Sequence, residues 1–220
     1  MKSTRFLFAL ACCLAATVTV RADLYSYTTI PGVFSTGVDN SGQALPVGAV
    51  DPHWTISASP NGAMSARATD VFFMWIGNTA SSAWINGSGS TANSAPGTYT
   101  YSLTFSLAGF DPSTAVIAGE WTSDNRSAIY LNGVDTGMTN DPPWEFTRFK
   151  NFTLNTGFLA GQNTLSFVVT QDPQTGGNPT GLQVNILSAE AVVPEPSSWV
   201  LGSIGCLLWI VEQTHRKCTR

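Results

Sequence analysis

The chain has 220 residues, 43% of them hydrophobic and 11% charged, with a formal net charge of −4. That balance argues against a nucleic-acid partner, because phosphate binding needs a basic face. Between the two hydrophobic ends, Asp23 to Val193 holds four Lys or Arg against twelve Asp or Glu, a formal charge of −8, and no cysteine, which excludes a disulfide framework or a cysteine zinc site in that stretch.

Taken in chain order, Lys2 and Arg5 precede an apolar run from Phe6 to Val20, and Val20-Arg21-Ala22 presents small residues where a signal peptidase reads. Residues 1–22 therefore read as a secretory signal helix, cleaved after Ala22. From Asp23 to Val193 no stretch of ten residues carries a 3.6-residue period, and Gly, Ser, Thr and Asn punctuate the chain every few residues, so this single domain is read as strands.

The expected strands are Trp54–Ala58, Val71–Ile76, Thr98–Leu107, Ala115–Trp121, Ala128–Leu131, Thr164–Thr170, Leu182–Ile186 and Ala189–Val193. In Thr98–Leu107, Tyr99, Tyr101, Leu103, Phe105 and Leu107 alternate with Thr and Ser, which predicts one core face and one wet face. Ser88 to Gly97 reads as a loop. Asn132-Gly133 after Ile129-Tyr130-Leu131 predicts a two-residue hairpin turn. Asn140 to Trp144, with Pro142 and Pro143, should break the ladder and cross between sheets.

The last element is Trp199 to Val211, apolar throughout, then Glu212 and the basic residues Arg216, Lys217 and Arg220. Thirteen helical residues cover roughly 20 Å against a hydrocarbon core of roughly 30 Å, so this short helix spans only if its flanks help, with the basic end cytoplasmic. The order Val193, then Pro194-Glu195-Pro196, then the hydrophobic helix and the basic end resembles the PEP-CTERM sorting signal of Gram-negative bacteria. That resemblance implies residues 194–220 as a sorting tail, an exosortase-like processing enzyme as partner, and co-occurrence with exopolysaccharide production.

A second resemblance lies in Glu120-Trp121-Thr122-Ser123-Asp124-Asn125, Ile129-Tyr130-Leu131-Asn132-Gly133 and Phe158-Leu159-Ala160-Gly161-Gln162-Asn163-Thr164-Leu165. This series is similar to the jelly-roll, galactose-binding-like domains of bacterial surface proteins. It implies a fold more than a ligand. The reading is thus all-β, an antiparallel jelly-roll β-sandwich between an N-terminal signal helix and a short C-terminal transmembrane helix.

Enzyme signatures are sparse. His53 is the sole histidine between the terminal segments, there is no nucleophile elbow, and the carboxylates Glu120 and Asp124 lie about 13 Å apart on extended chain, beyond the roughly 5–9.5 Å of glycosidase pairs. Binding is easier to argue, since sugars dock on aromatic planes edged by Asn, Asp and Arg. Trp84 and Trp144 lie in polar, turn-rich stretches and Trp121 stands just ahead of Asp124-Asn125-Arg126, with Thr122 and Ser123 between, so these six residues are the candidate ligand contacts. Core packing is the competing role of Trp121, and a self-capping turn that of Asp124-Asn125-Arg126; Trp75, in the run Phe72 to Ile76, reads as core.

Asp39, Asn40 and Asp51 are the oxygen ligands at hand for a structural calcium ion, which domains of this type often hold by resemblance, although no EF-hand spacing accompanies them; no other cofactor is expected. The chain is read as a non-catalytic protein of the cell surface or extracellular matrix that binds polysaccharide. The alternatives are a purely structural matrix component and a secreted carbohydrate-active hydrolase.

Overall fold

The computed structural model describes residues 26–141, 143–174 and 177–194. The signal segment expected at 1–22, Glu195 and Pro196 of the expected sorting motif, the helix expected at 199–211 and the basic residues Arg216, Lys217 and Arg220 lie outside them. Pro194 is described, and is exposed two residues after the last strand ends at Val192. Among the described residues no helix is long and apolar enough to cross a membrane.

The described chain is all-β. Its strands are β1 (Tyr27–Thr29), β2 (Val50–Ala58), β3 (Met64–Ala68), β4 (Ile85–Asn86), β5 (Gly97–Ser106), β6 (Asp111–Asp124), β7 (Ser127–Leu131), β8 (Val134–Asn140), β9 (Lys150–Leu154), β10 (Gln162–Gln171) and β11 (Gly181–Val192), with one 3-10 turn at Glu145–Thr147. All pairings are antiparallel. The order is β8-β7-β10-β5-β2-β3-β4-β11-β6-β9, with β1 added beside β11.

This sheet folds over on itself. Strands β10 and β6 are six steps apart in that order, about 29 Å in a flat sheet. Yet the rings of Phe167 on β10 and Trp121 on β6 lie 6.0 Å apart, and Phe152 on β9 lies 5.8 Å from Phe167. The two halves therefore face each other across one core, built on Trp54, Tyr101, Leu103, Trp121, Phe167 and Val184. Between the two halves lie the short strands β3 and β4, and the register between β2 and β3 is interrupted.

Alternation along β5 behaves as its sequence demands. Tyr99, Tyr101, Leu103 and Phe105 are buried, and the ten-pair ladder with β10 sets Leu103 opposite Leu165 and Tyr101 opposite Phe167. On the outer face Ser57, Ser102 and Ser166 link β2, β5 and β10 through hydroxyl hydrogen bonds of 3.0 Å. At the β7–β8 turn Asn132 and Gly133 have φ of 54° and 78°, the positive pair that a two-residue type I′ connection requires. Since β8 and β9 occupy opposite ends of the strand order, the segment after Asn140 does carry the chain from one half of the sheet to the other.

Two sequence expectations fail. Val71–Ile76 is a turn rather than a strand: the Trp75 amide donates to the Phe72 carbonyl and the Ile76 amide to Phe146, so no ladder forms. Its aromatic run splits, with Phe73 85% exposed and Trp75 buried. The strands expected at Leu182–Ile186 and Ala189–Val193 are one strand, β11, interrupted by a bulge. Ile186 and Ser188 face the consecutive residues Gly119 and Ala118, leaving Leu187 unpaired and 64% exposed. Strands β1, β3, β4, β8 and β9 escape the pattern because they are short or rich in polar residues, too brief for period-two alternation to register.

Candidate functional site

Four segments distant in sequence meet at one end of the folded sheet: the turn 71–76, the β6–β7 junction, the crossing segment after β8, and the loop between β10 and β11. They enclose a cleft of about 490 Å³, lined among others by Phe72, Asp124, Asn125, Arg126, Asp141, Trp144, Glu145, Phe146 and Asp172. That volume falls within the roughly 300–1,000 Å³ of small-molecule sites.

The floor is polar and tied down. Strand β6 delivers Asp124 at its last position, where the indole of the buried Trp75 donates to Oδ2 at 2.7 Å and the Asn125 amide donates to Oδ1 at 2.6 Å. Trp75 stacks on Trp84 with ring centroids 4.2 Å apart, which explains how a non-strand turn holds its indole so firmly. The Thr180 hydroxyl donates to the Asp124 carbonyl, and the Asp172 amide to Asn125 Oδ1. Arg126 forms a two-pronged pair with Asp172 at 2.8 and 2.9 Å, partly exposed at the rim.

The wall comes from the crossing segment. Trp144 stands immediately before the 3-10 turn in a left-handed backbone, φ 67° and ψ 38°, with its ring edge-on to Phe146 and 58% of its surface exposed. A bulky side chain is rarely found there, because the left-handed region costs roughly 1–2 kcal/mol for any residue with a Cβ. Glu145 follows, only 7% exposed. Its backbone carbonyl accepts the Thr122 hydroxyl.

Electrostatics follow from this geometry. Burial pushes the Asp124 carboxyl up to about 7, the Trp75 hydrogen bond opposes that rise, and the neighbouring Glu145 adds to it. Glu145 is raised chiefly by its own burial, its own amide opposes this, Asp141 and Asp172 reinforce it, and Arg126 works against it. Burial and repulsion from neighbouring carboxyls thus raise Asp124 and Glu145 together, in a cleft whose lining arginine, Arg126, is paired with Asp172.

Of the candidate residues, Asp124, Asn125, Arg126 and Trp144 line this cleft together. Trp84 and Trp121 do not: both are fully buried. The Trp84 indole donates to the Ile76 carbonyl and the Trp121 indole to the Ser127 hydroxyl, so their polar ends are satisfied inside the protein. Asp124-Asn125-Arg126 caps its own junction and also faces the cleft.

Asp39 and Asp51 lie elsewhere. Asp39 Oδ1 takes the Ser41 amide and hydroxyl and the Gln43 amide, which holds its carboxyl below the usual range, and Asn40 is exposed in the same turn. Asp51 is buried, which raises its carboxyl, and its oxygens accept the amides of Gly37, His53 and Trp54. Among the described residues no group of three or more His, Cys, Asp or Glu converges as metal ligands. His53 stacks flat on Phe34 at 3.7 Å.

Glu120 and Asp124 are not brought together. They lie on one uninterrupted stretch of β6, and the Asn185 amide holds Glu120. The carboxylate beside Asp124 is Glu145. Sequence reasoning missed Glu145, Asp172, Phe72 and Phe146, and the compact string Asp141-Pro142-Pro143-Trp144-Glu145-Phe146 was the signal available for two of them, Glu145 and Phe146.

No protein-family model matches the chain, and no curated protein matches it. Among solved structures, the carbohydrate-binding module CBM35 from Paenibacillus barcinonensis is similar at 15% identity, over 62% of this chain and 94% of that module, with a TM-score of 0.35.

Proposed function

We propose that this chain is an exported, exosortase-sorted protein of the cell surface or extracellular matrix, and that its β-sandwich is a non-catalytic, jelly-roll saccharide-binding domain. The observation that carries the binding reading is Trp144. An exposed indole in a strained backbone, beside a cleft with hydrogen-bonding carboxylates and amides, is the arrangement that takes a sugar ring against an aromatic face and fixes its hydroxyls at the edge. Export and sorting rest on the two ends of the sequence, with the membrane reached through the C-terminal helix.

A hydrolase is the second reading, favoured by a carboxyl at about 7 beside a second buried one, since a general acid must keep its proton near neutrality. Against it, both Asp124 oxygens already accept internal hydrogen bonds. The test is a glycan array with the full-length protein in mild detergent. Binding should appear and vanish in Trp144→Ala, with no new reducing ends released from the bound glycan. An array on which nothing binds would sink the reading in favour of a structural matrix component.

A further inference from the structure

The fold makes little use of the Phe73 ring. It is 85% exposed, and the turn 71–76 that carries it is fastened by other groups. The Trp75 amide donates to the Phe72 carbonyl, the Trp75 indole donates to Asp124 and stacks on Trp84, and the Ile76 amide donates to the Phe146 carbonyl. The last of these bonds pins the turn to the segment that carries Trp144.

Its surroundings make Phe73 an extension of the cleft. Its ring lies 4.5 Å from that of Phe72, tilted by 53°, and Phe72 lines the cleft together with Met74, Trp144 and Phe146. Val71, Met74 and Trp144 are exposed as well. An apolar strip therefore runs from inside the cleft over Phe72 and out to Phe73, and it is held in place before any ligand arrives. A contiguous apolar patch of this kind marks a contact surface.

Charge decides what covers the strip. The cleft lining sets Asp124, Asp141, Glu145 and Asp172 against one cation, Arg126, which is paired with Asp172. That balance repels anionic lipid headgroups, and it repels the same acidic face of a second copy. An uncharged sugar meets no such repulsion, and the C–H face of its ring suits an aromatic plane. Phe73 is not itself part of the cleft lining, so a single ring seated inside leaves it bare. Only a further unit of the same chain covers it.

Resting on the saccharide-binding reading, we propose that Phe73 is a second aromatic contact just outside the cleft, and that the ligand is a neutral oligo- or polysaccharide, with one unit on Trp144 and a following unit on Phe73. Trp144 then supplies binding to one ring, and Phe73 supplies selection for chains over free monosaccharides.

The experiment titrates the full-length protein in mild detergent with ladders of one to six units of β-1,4-linked glucose, mannose, galactose, xylose and N-acetylglucosamine. In a ladder that binds, affinity should rise about tenfold from the single unit to the longer oligomers, the order of one added aromatic contact. Phe73→Ala should remove that rise, reducing the longer oligomers to the affinity of the single unit. Its melting temperature should not change, because the lost ring is mostly in water. Phe73→Trp should restore the rise, and Trp144→Ala should abolish binding at every length.

If no ladder binds, or if Trp144→Ala keeps full binding, the saccharide reading fails and this inference with it. If oligomers bind through Trp144 with no gain over the single unit, or if Phe73→Ala keeps the full gain, the saccharide reading stands and only the second contact is overturned. Phosphatidylcholine vesicles that bind the wild type but not Phe73→Ala would assign the ring to a membrane surface and overturn the proposal as well.

Discussion

Trp121 and Trp144 should respond to truncation in opposite ways. Trp121 is fully buried against Phe152 and Phe167, so Trp121→Ala should cost about 3–5 kcal/mol in chemical denaturation, as emptying a buried aromatic site does. Trp144→Gly removes a mostly exposed ring from a left-handed backbone that glycine adopts freely. Relief of strain of about 1–2 kcal/mol offsets the greater freedom of glycine in the unfolded chain, so stability should be unchanged or rise by up to about 1 kcal/mol. A large loss in Trp144→Gly would mean that the ring packs structurally, and would remove the main support for its binding role.

Asp124 makes a second residue-level prediction. The folded protein keeps this carboxyl protonated up to about pH 7, whereas the ordinary value is 3.8. The native state thus holds more protons than the unfolded state in that window. The group's contribution to stability is full below the ordinary value, is lost as pH rises from about 4 to about 7, and levels off above. The gap corresponds to at most about 4 kcal/mol. Glu145, raised in the same direction, adds a slope of the same sign. Asp124→Asn, which cannot ionise but keeps only one of the two acceptor oxygens, should be less stable than wild type near pH 4 and close that gap as pH rises to 8; equal slopes in urea melts across that range would refute the assignment.

Among the elements, the β7–β8 hairpin offers a clean measurement. A Cβ on Gly133 would meet no heavy atom within 4 Å, yet its φ is 78°. Gly133→Ala should therefore cost about 1–2 kcal/mol from backbone strain alone, with no packing contribution. No change in melting temperature would show that the turn relaxes to another type. Strand periodicity explains why some elements were legible and others were not. From Thr98 to Ser106 polar and apolar residues alternate along β5 without a break in the sequence, while β9 offers only Phe152 and Leu154 as buried positions and β8 buries only Asn140, too little signal to separate a strand from a loop. The run Phe72 to Ile76 misled for the converse reason: apolar continuity resembles a buried strand, but here the side chains serve a turn anchored by Trp75 on Trp84.

For the whole molecule, the absence of thiols between the terminal segments means that Asp23–Val193, expressed alone, should fold and melt at the same temperature with or without dithiothreitol. A shift with dithiothreitol would overturn that expectation. Replacing Pro194, Glu195 and Pro196 with Ala should leave export intact but retain the protein in the membrane fraction of its own host with Cys218 still attached. Fractionation and intact mass decide it, and equal release of wild type and variant with identical C-termini would reduce the motif to an ordinary linker.

Composition, punctuation and two-residue alternation were enough to determine an all-β domain, its longest strands, the Asn132-Gly133 turn and the crossing after Asn140, because each is a local property of neighbouring residues. The same local view picked Asp124, Asn125, Arg126 and Trp144, yet it could not separate Trp144 from Trp84 and Trp121. Burial is decided by which strands face each other, and β6 meets β10 only after the sheet has folded over. The tertiary structure alone brought Glu145 and Asp172 beside Asp124. Such a site is a matter of distance through space among segments dozens of residues apart, and no spacing along the chain encodes it.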